Sequence, residues 1–269
     1  MCESSTHSNK ILPSINGQID WDRVAPSYHQ YILSPYAPQM LEEKNNQPCR
    51  NLLINYLNNI PADEFSKKRI LDFGCGPGNL IPNMGKKPAR LVGVDKSRGS
   101  INIACAIAQE NEIDAEFICD DILNIRDEAG FDLIISSNSI LPGSREEVIA
   151  IFKKLHSLLL PDGKLLAILP SFDTTMYLNE LRVNNNETVD NILVDEETLA
   201  YADDGHHLQC YHTPQSIRNE TSLSGLKLIA DLRKVYYPWE LCRQFGYGYF
   251  PQSEEEIWDW FMVAEKATL

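Results

Sequence analysis

The chain has no run of the roughly 20 apolar residues that a membrane helix needs. Its opening, MCESSTHSNK, lacks the charged and apolar regions of a secretion signal. The seven cysteines (Cys2, Cys49, Cys75, Cys105, Cys119, Cys210 and Cys242) are scattered and show no CxxC spacing. Neither a zinc site nor a dithiol redox motif is indicated, so no metal is expected. Cys75 and Cys119 lie beside apolar strands, where cysteine behaves as a small hydrophobe. Basic residues are scarce, 24 Lys and Arg against 38 Asp and Glu, for a net charge of −14. Nucleic-acid binding needs clustered cations, so no nucleic-acid partner is expected, and no membrane partner either. These exclusions leave a cytoplasmic globular protein. Its 269 residues suffice for one large domain, or for one domain with an appended cap.

What is present begins with Ile70 to Asn79, ILDFGCGPGN. An apolar strand feeds an acid, Asp72, and then glycines at 74, 76 and 78. Glycine there lets the backbone turn sharply and approach a ligand closely. A buried strand, such a loop and a following helix hold nucleotide-like cofactors at the end of a parallel sheet. A second apolar run, LVGVD, closes on Asp95.

Residues 1–60 read as a helical cap, broken early by Pro26, Pro35 and Pro38, with a helix expected over 39–59. Residues 61–269 read as the sheet domain. Strands are expected at RILDF, RLVGV, AEFIC, FDLIISS and KLLAILP, the last entered by a turn at PDG, 161 to 163. Helices are expected from Leu80 to about Gly85, from Ser97 to Glu110 and from Ser144 to Leu160. Such alternation builds a parallel sheet with helices on both faces. Residues 172–224 carry little strand pattern and read as an insertion. A sixth strand or strand pair follows in GLKLIADLRKVYYPW, and a final one in IWDWFMVAEK.

In order, ILDFGCGPGN, LVGVDKS, FICDDIL, FDLIISSNSI and LLLPDGKLLAILP resemble the class I S-adenosylmethionine-dependent methyltransferases. The resemblance runs over about 65–170. It implies an α/β, Rossmann-like, seven-stranded and mostly parallel sheet with an antiparallel last strand and an N-terminal helical lid. It implies S-adenosyl-L-methionine as cofactor. Gly74, Cys75, Gly76 and Gly78 would pass under its methionine part and Asp72 would organise that loop. Asp95 would take the ribose hydroxyls, with Lys96 along the adenine face. Asp120 would take the adenine amino group, with Asp121 and Ile122 beside the ring. Ser136 and Ser137 would bridge cofactor and acceptor. In the cap, Trp21, Tyr28 and Tyr31 resemble an aromatic-rich closing helix. Tyr28 would reach the cofactor carboxylate, although packing between cap and core accounts for it equally.

Dinucleotide-binding dehydrogenases are the main confusion, but their G-x-G-x-x-G needs glycine where Asn79 stands. The SSNSILPG that ends the fourth strand is not the Asn/Asp-Pro-Pro-aromatic tetrad of base and amide methylation. A small-molecule acceptor, methylated at oxygen, nitrogen or carbon, is the leading expectation. A protein methyltransferase and a cofactor-binding pseudo-methyltransferase that serves as a partner or regulator are the alternatives. No catalytic residue stands out. His206, His207 and His212 are the candidates for a general base, and at most one of them takes that role. The aromatic run from Tyr236 to Phe250 would line an acceptor site, form a dimer surface, or pack between strands.

Overall fold

The computed structural model describes residues 14–15, 18–19, 48–80, 87–184, 193–195, 197–202, 208–237 and 257–267. Trp21, Tyr28, Tyr31, His206 and His207 lie outside these, as do the helix expected after Leu80 and the aromatic run beyond Tyr237. Of the cap, a two-residue hairpin (Ser14–Ile15 with Gln18–Ile19) and helix α1 (Pro48–Asn58) are described.

After α1 and a single turn, α2 (Ala62–Phe65), strand and helix alternate: β1 (Arg69–Phe73), β2 (Arg90–Asp95), α3 (Arg98–Glu110), β3 (Glu116–Cys119), β4 (Phe131–Ser137), α4 (Arg145–Leu158) and β5 (Leu159–Pro170). The helix starts follow local chemistry. Ser97 caps α3 by accepting from Ser100 N, and Ser144 caps α4 by accepting from Glu147 N. Each cap satisfies a donor the first turn leaves unpaired, and Glu146 and Glu147 suit the positive end of α4.

α5 (Phe172–Asn184), β6 (Leu193–Asp195), β7 (Ala200–Ala202), β8 (Gln209–Cys210) and α6 (Pro214–Leu223) come next. The last strands are β9 (Leu226–Leu228), β10 (Arg233–Tyr236) and β11 (Trp258–Lys266). The main sheet runs β9-β11-β5-β4-β1-β2-β3, with β10 also on β11. β1 to β5 are mutually parallel, and β11 runs antiparallel to β5, β9 and β10. The expected sixth strand is thus two pieces, β9 and β10, laid end to end along one edge of β11.

Two expectations are corrected. PDG does not turn the chain into β5 but lies within it, as an irregularity in the pairing between Phe131 and Leu133 of β4. Asp162 absorbs the extra residues in a left-handed conformation, φ 63°. Among the described residues, the 172–224 stretch holds two helices and a separate sheet, β8-β7-β6. Its strands are two or three residues long, too short for an alternating pattern to register.

Successive residues of each central strand point to opposite faces. On one face Ile70, Ile135, Ile168 and Phe261 pack with Leu53 and Leu57 of α1 and Phe65 of α2. On the other, Leu71, Ile134, Leu165 and Met262 pack with Phe152 and Leu155 of α4 and Ile217 of α6. Burial of each such side chain stabilises the fold by about 1.5–3 kcal/mol. The sheet is packed on both faces, and its carboxyl edge carries the loops that matter below.

Candidate active site

β1 is buried from Ile70 to its end, so Asp72 is carried into the interior and is 2% exposed. Its Oδ2 has no hydrogen-bond partner among the described residues. Burial, then the charge of Asp95, pushes its carboxyl up to about 7. Immediately after the strand, Gly74, Gly76 and Gly78 all take left-handed backbone conformations. At Gly74 (φ 67°) an added Cβ would stand 2.1 Å from Ser139 Oγ, so the loop and Ser139 share one space. At Gly76 (φ 52°) an added Cβ would meet nothing within 4 Å among the described residues. That glycine faces open space, as a loop passing under a ligand must.

The loop is fastened to the end of β2. Gly74 N and Cys75 N donate to Val94 O at 2.8 and 3.1 Å. Gly76 N donates to Asp95 Oδ2 at 2.9 Å, while Ser97 N donates to Asp95 Oδ1 at 2.8 Å. One carboxylate therefore ties the glycine loop to the start of α3. Cys75 is buried, its thiol raised by burial and then by Asp72, and it fills space beside Gly93.

The end of β3 is more open. Asp120 is exposed, and its Oδ1 accepts from Asp121 N at 2.7 Å and Asn124 Nδ2 at 2.9 Å. The Asn124 bond, then the Asp121 amide, holds its carboxyl below the ordinary value. Asp121 caps the following 3-10 turn through Leu123 N and pairs with Lys96 at 2.7 Å. Ile122 is buried and serves as floor.

The structure thus gathers Asp72, the glycine loop, Asp95, Lys96, Asp120, Asp121 and Ile122 at the carboxyl ends of β1, β2 and β3. Ser136 and Ser137 end β4, the next strand. Ser136 is fully buried with its Oγ unpartnered among the described residues, and Ser137 O accepts from Ser139 Oγ at 2.9 Å. Sequence reasoning missed Ser139, whose Oγ also donates to Gly74 O at 3.2 Å. Its signal was the polar run SSNS directly behind an apolar strand.

His212 is elsewhere. It is 0% exposed, with Nε2 bonded to Ile140 O at 3.0 Å and Nδ1 3.6 Å from Glu220. Glu220 also pairs with Arg145 at 2.6 Å, and Arg145 Nε donates to Thr198 O at 2.7 Å. This buried network fixes the short sheet against α4 and α6, and it presents no ring surface to an acceptor.

S-adenosyl-L-methionine fits these residues. It bears an ammonium and a sulfonium, and the site offers a buried carboxyl oxygen in want of a donor, Asp72 Oδ2. It bears a ribose diol, and Asp95 offers two carboxylate oxygens beside an unobstructed Gly76.

Residues 70–163 match a family model described as a methyltransferase domain. A ubiquinone biosynthesis O-methyltransferase of Idiomarina loihiensis is 26% identical over 66% of this chain and 69% of its own length. Its counterpart in Coxiella burnetii is 31% identical over 36% of this chain and 42% of its own length. A relative in Geobacillus is 35% identical over 103 residues, and the match spans 41% of that protein's length. Among solved structures, the magnesium protoporphyrin IX methyltransferase of Synechocystis with bound S-adenosylhomocysteine superposes with a TM-score of 0.62, at 15% identity over 92% of this chain and 96% of that one. A Burkholderia thailandensis 1,6-didemethyltoxoflavin-N1-methyltransferase gives 0.55 at 15% identity over 91% and 90%. The strand order, the strand-end acids, the glycine loop and these matches agree: residues 70–163 form a methyltransferase domain, on a fold shared with S-adenosylmethionine-dependent methyltransferases.

Proposed function

We propose that this protein transfers a methyl group from S-adenosyl-L-methionine to a small-molecule acceptor at oxygen, nitrogen or carbon. The observation that carries the reading is the pairing of a buried, donor-seeking Asp72 with an Asp95 that already braces the glycine loop. The cofactor, when bound, supplies an electrophilic methyl group to a nucleophile placed in line with its carbon–sulfur bond. The chain's residues do the rest. Asp72, ionised, would meet the positive charge of the methionine end. Asp95 would accept the ribose hydroxyls, and Asp120 the adenine amino group. Lys96, Asp121 and Ile122 would border the ring. Gly76 would allow close backbone approach, and the Ser136–Ser137 strand end would lead from cofactor to acceptor. Placement and water exclusion supply the acceleration, on the order of 7–11 kcal/mol in favourable cases.

The small-molecule class draws support from the relatives, whose names specify ubiquinone biosynthesis, a magnesium porphyrin and a toxoflavin precursor. The test is labelled methyl transfer from the cofactor into a metabolite extract. A small labelled product is expected. Label confined to protein would overturn the acceptor class, and tight cofactor binding with no transfer to either would favour a non-catalytic role.

A further inference from the structure

A second buried carboxylate, besides Glu220, lies outside the strand-end acids described above. Asp259, on β11 opposite Pro170 of β5, is 7% exposed. Four described elements converge on it. Tyr237, after β10, donates its hydroxyl to Oδ2 at 2.5 Å, and Asn138, after β4, donates Nδ2 to the same oxygen at 3.0 Å. Ser171 N, after β5, donates to Oδ1 at 3.3 Å. The Cys49 thiol of α1 stands 3.1 Å from the Tyr237 hydroxyl and 4.0 Å from Oδ2. Burial raises this carboxyl above its ordinary value, and the bonds from Tyr237 and Asn138 work against that rise. A group so costly to bury persists where its bonds fix something.

What it fixes is the corner after β4. Asn138 takes a left-handed conformation, φ 53°, and is exposed apart from its tie to Asp259. An ionised carboxylate only accepts, so the amide must present Nδ2 to it. The next residue is Ser139, whose Oγ bonds Gly74 O and whose side chain occupies the space beside Gly74. The bonds therefore run from Asp259 through Asn138 and Ser139 to the glycine loop, from residues otherwise unrelated in the sequence. We infer that Asp259 is a positioning residue: by holding Asn138 it keeps Ser139 seated on Gly74, and so sets the glycine loop from the acceptor side of the sheet. Its consequence for the cofactor rests on the proposed function; the coupling itself does not.

Two readouts separate these. In the ligand-free protein, Asp259→Asn and Asn138→Gly should speed amide hydrogen exchange at Gly74 and Gly78, about tenfold or more. Glycine at 138 keeps the left-handed backbone, so it removes the tie without adding strain. In calorimetric titration with S-adenosylhomocysteine, each variant should lose about tenfold in affinity. The double variant should lose no more than the worse single one, as expected for residues in one chain of contacts. A merely structural Asp259 would lower Tm yet leave both glycine-loop exchange and affinity alone. Unchanged exchange at Gly74 and Gly78, or losses that simply add, overturns the inference. Should Asp259→Asn fail to fold, Asn138→Gly and Ser139→Ala carry the same comparison. If the parent binds no S-adenosylhomocysteine, the functional reading fails, and the exchange data still decide the coupling.

Discussion

Two halves of one sheet edge are built differently. At the ends of β1, β2 and β3, each strand delivers its own acid, Asp72, Asp95 and Asp120, and backbone amides within a few residues complete the site. At the ends of β4, β5 and β10 and the start of β11, one carboxylate, Asp259, is shared by residues 138, 171 and 237, with Cys49 alongside. The first half is local in sequence and suits a constant ligand. The second is assembled from distant segments, so its shape can vary without disturbing the first. That is how one cofactor site would serve many acceptors.

The comparison breaks most sharply at Asp95. Asp95→Ala strands the amides of Gly76 and Ser97 and removes both carboxylate oxygens. It should weaken S-adenosylmethionine binding about a hundredfold by calorimetry. Gly74 and Gly76 come next as a pair. Gly74→Ala sets a methyl group against Ser139 on a left-handed backbone, and should cost about 2–3 kcal/mol of stability in denaturant titration. Gly76→Ala meets no atom of the described residues, so it should cost only about 1 kcal/mol while still weakening cofactor binding. Equal stability losses in the two would contradict the shared space at Gly74.

Asp72 gives a smaller, pH-dependent effect. Its carboxyl is raised to about 7 in the folded protein, so below that pH it is protonated and attracts a cation less. Cofactor affinity should rise with pH through about 7, with proton release visible as a buffer-dependent binding heat. Asp72→Asn should flatten that profile. The same shift has a sign for stability. A raised acid favours the folded state most at low pH, and the advantage is lost as pH climbs from about 4 to about 7. The smallest effect belongs to Tyr237→Phe, which removes one of the donors to Asp259 Oδ2. About 1 kcal/mol of stability should go, with cofactor affinity unchanged, since the Asn138 bond remains.

The same contrast explains what could be read from the sequence. The glycine loop and its acids are contiguous motifs on strands whose apolar runs are unmistakable, so β1 to β5 and the gathering of those acids at one sheet edge were legible. Ser139 was not, because its partner Gly74 lies 65 residues away. Asp259 was hidden inside an apolar strand, WDWFMVAEK, where nothing local marks it as a hub. β6 to β8 are too short to leave a period, and α5 and α6 lie among acids and asparagines that read as loop. His212 looked like a candidate base because clustered histidines draw the eye. Its burial against Ile140 and Glu220 is tertiary information that no spacing carries.

The most direct test of the central claim is calorimetric titration of S-adenosyl-L-methionine into the parent protein and into Asp95→Ala under identical conditions. The account predicts saturable one-to-one binding by the parent and a loss of about a hundredfold in the variant. No binding by the parent, or equal affinity in the two, would contradict it.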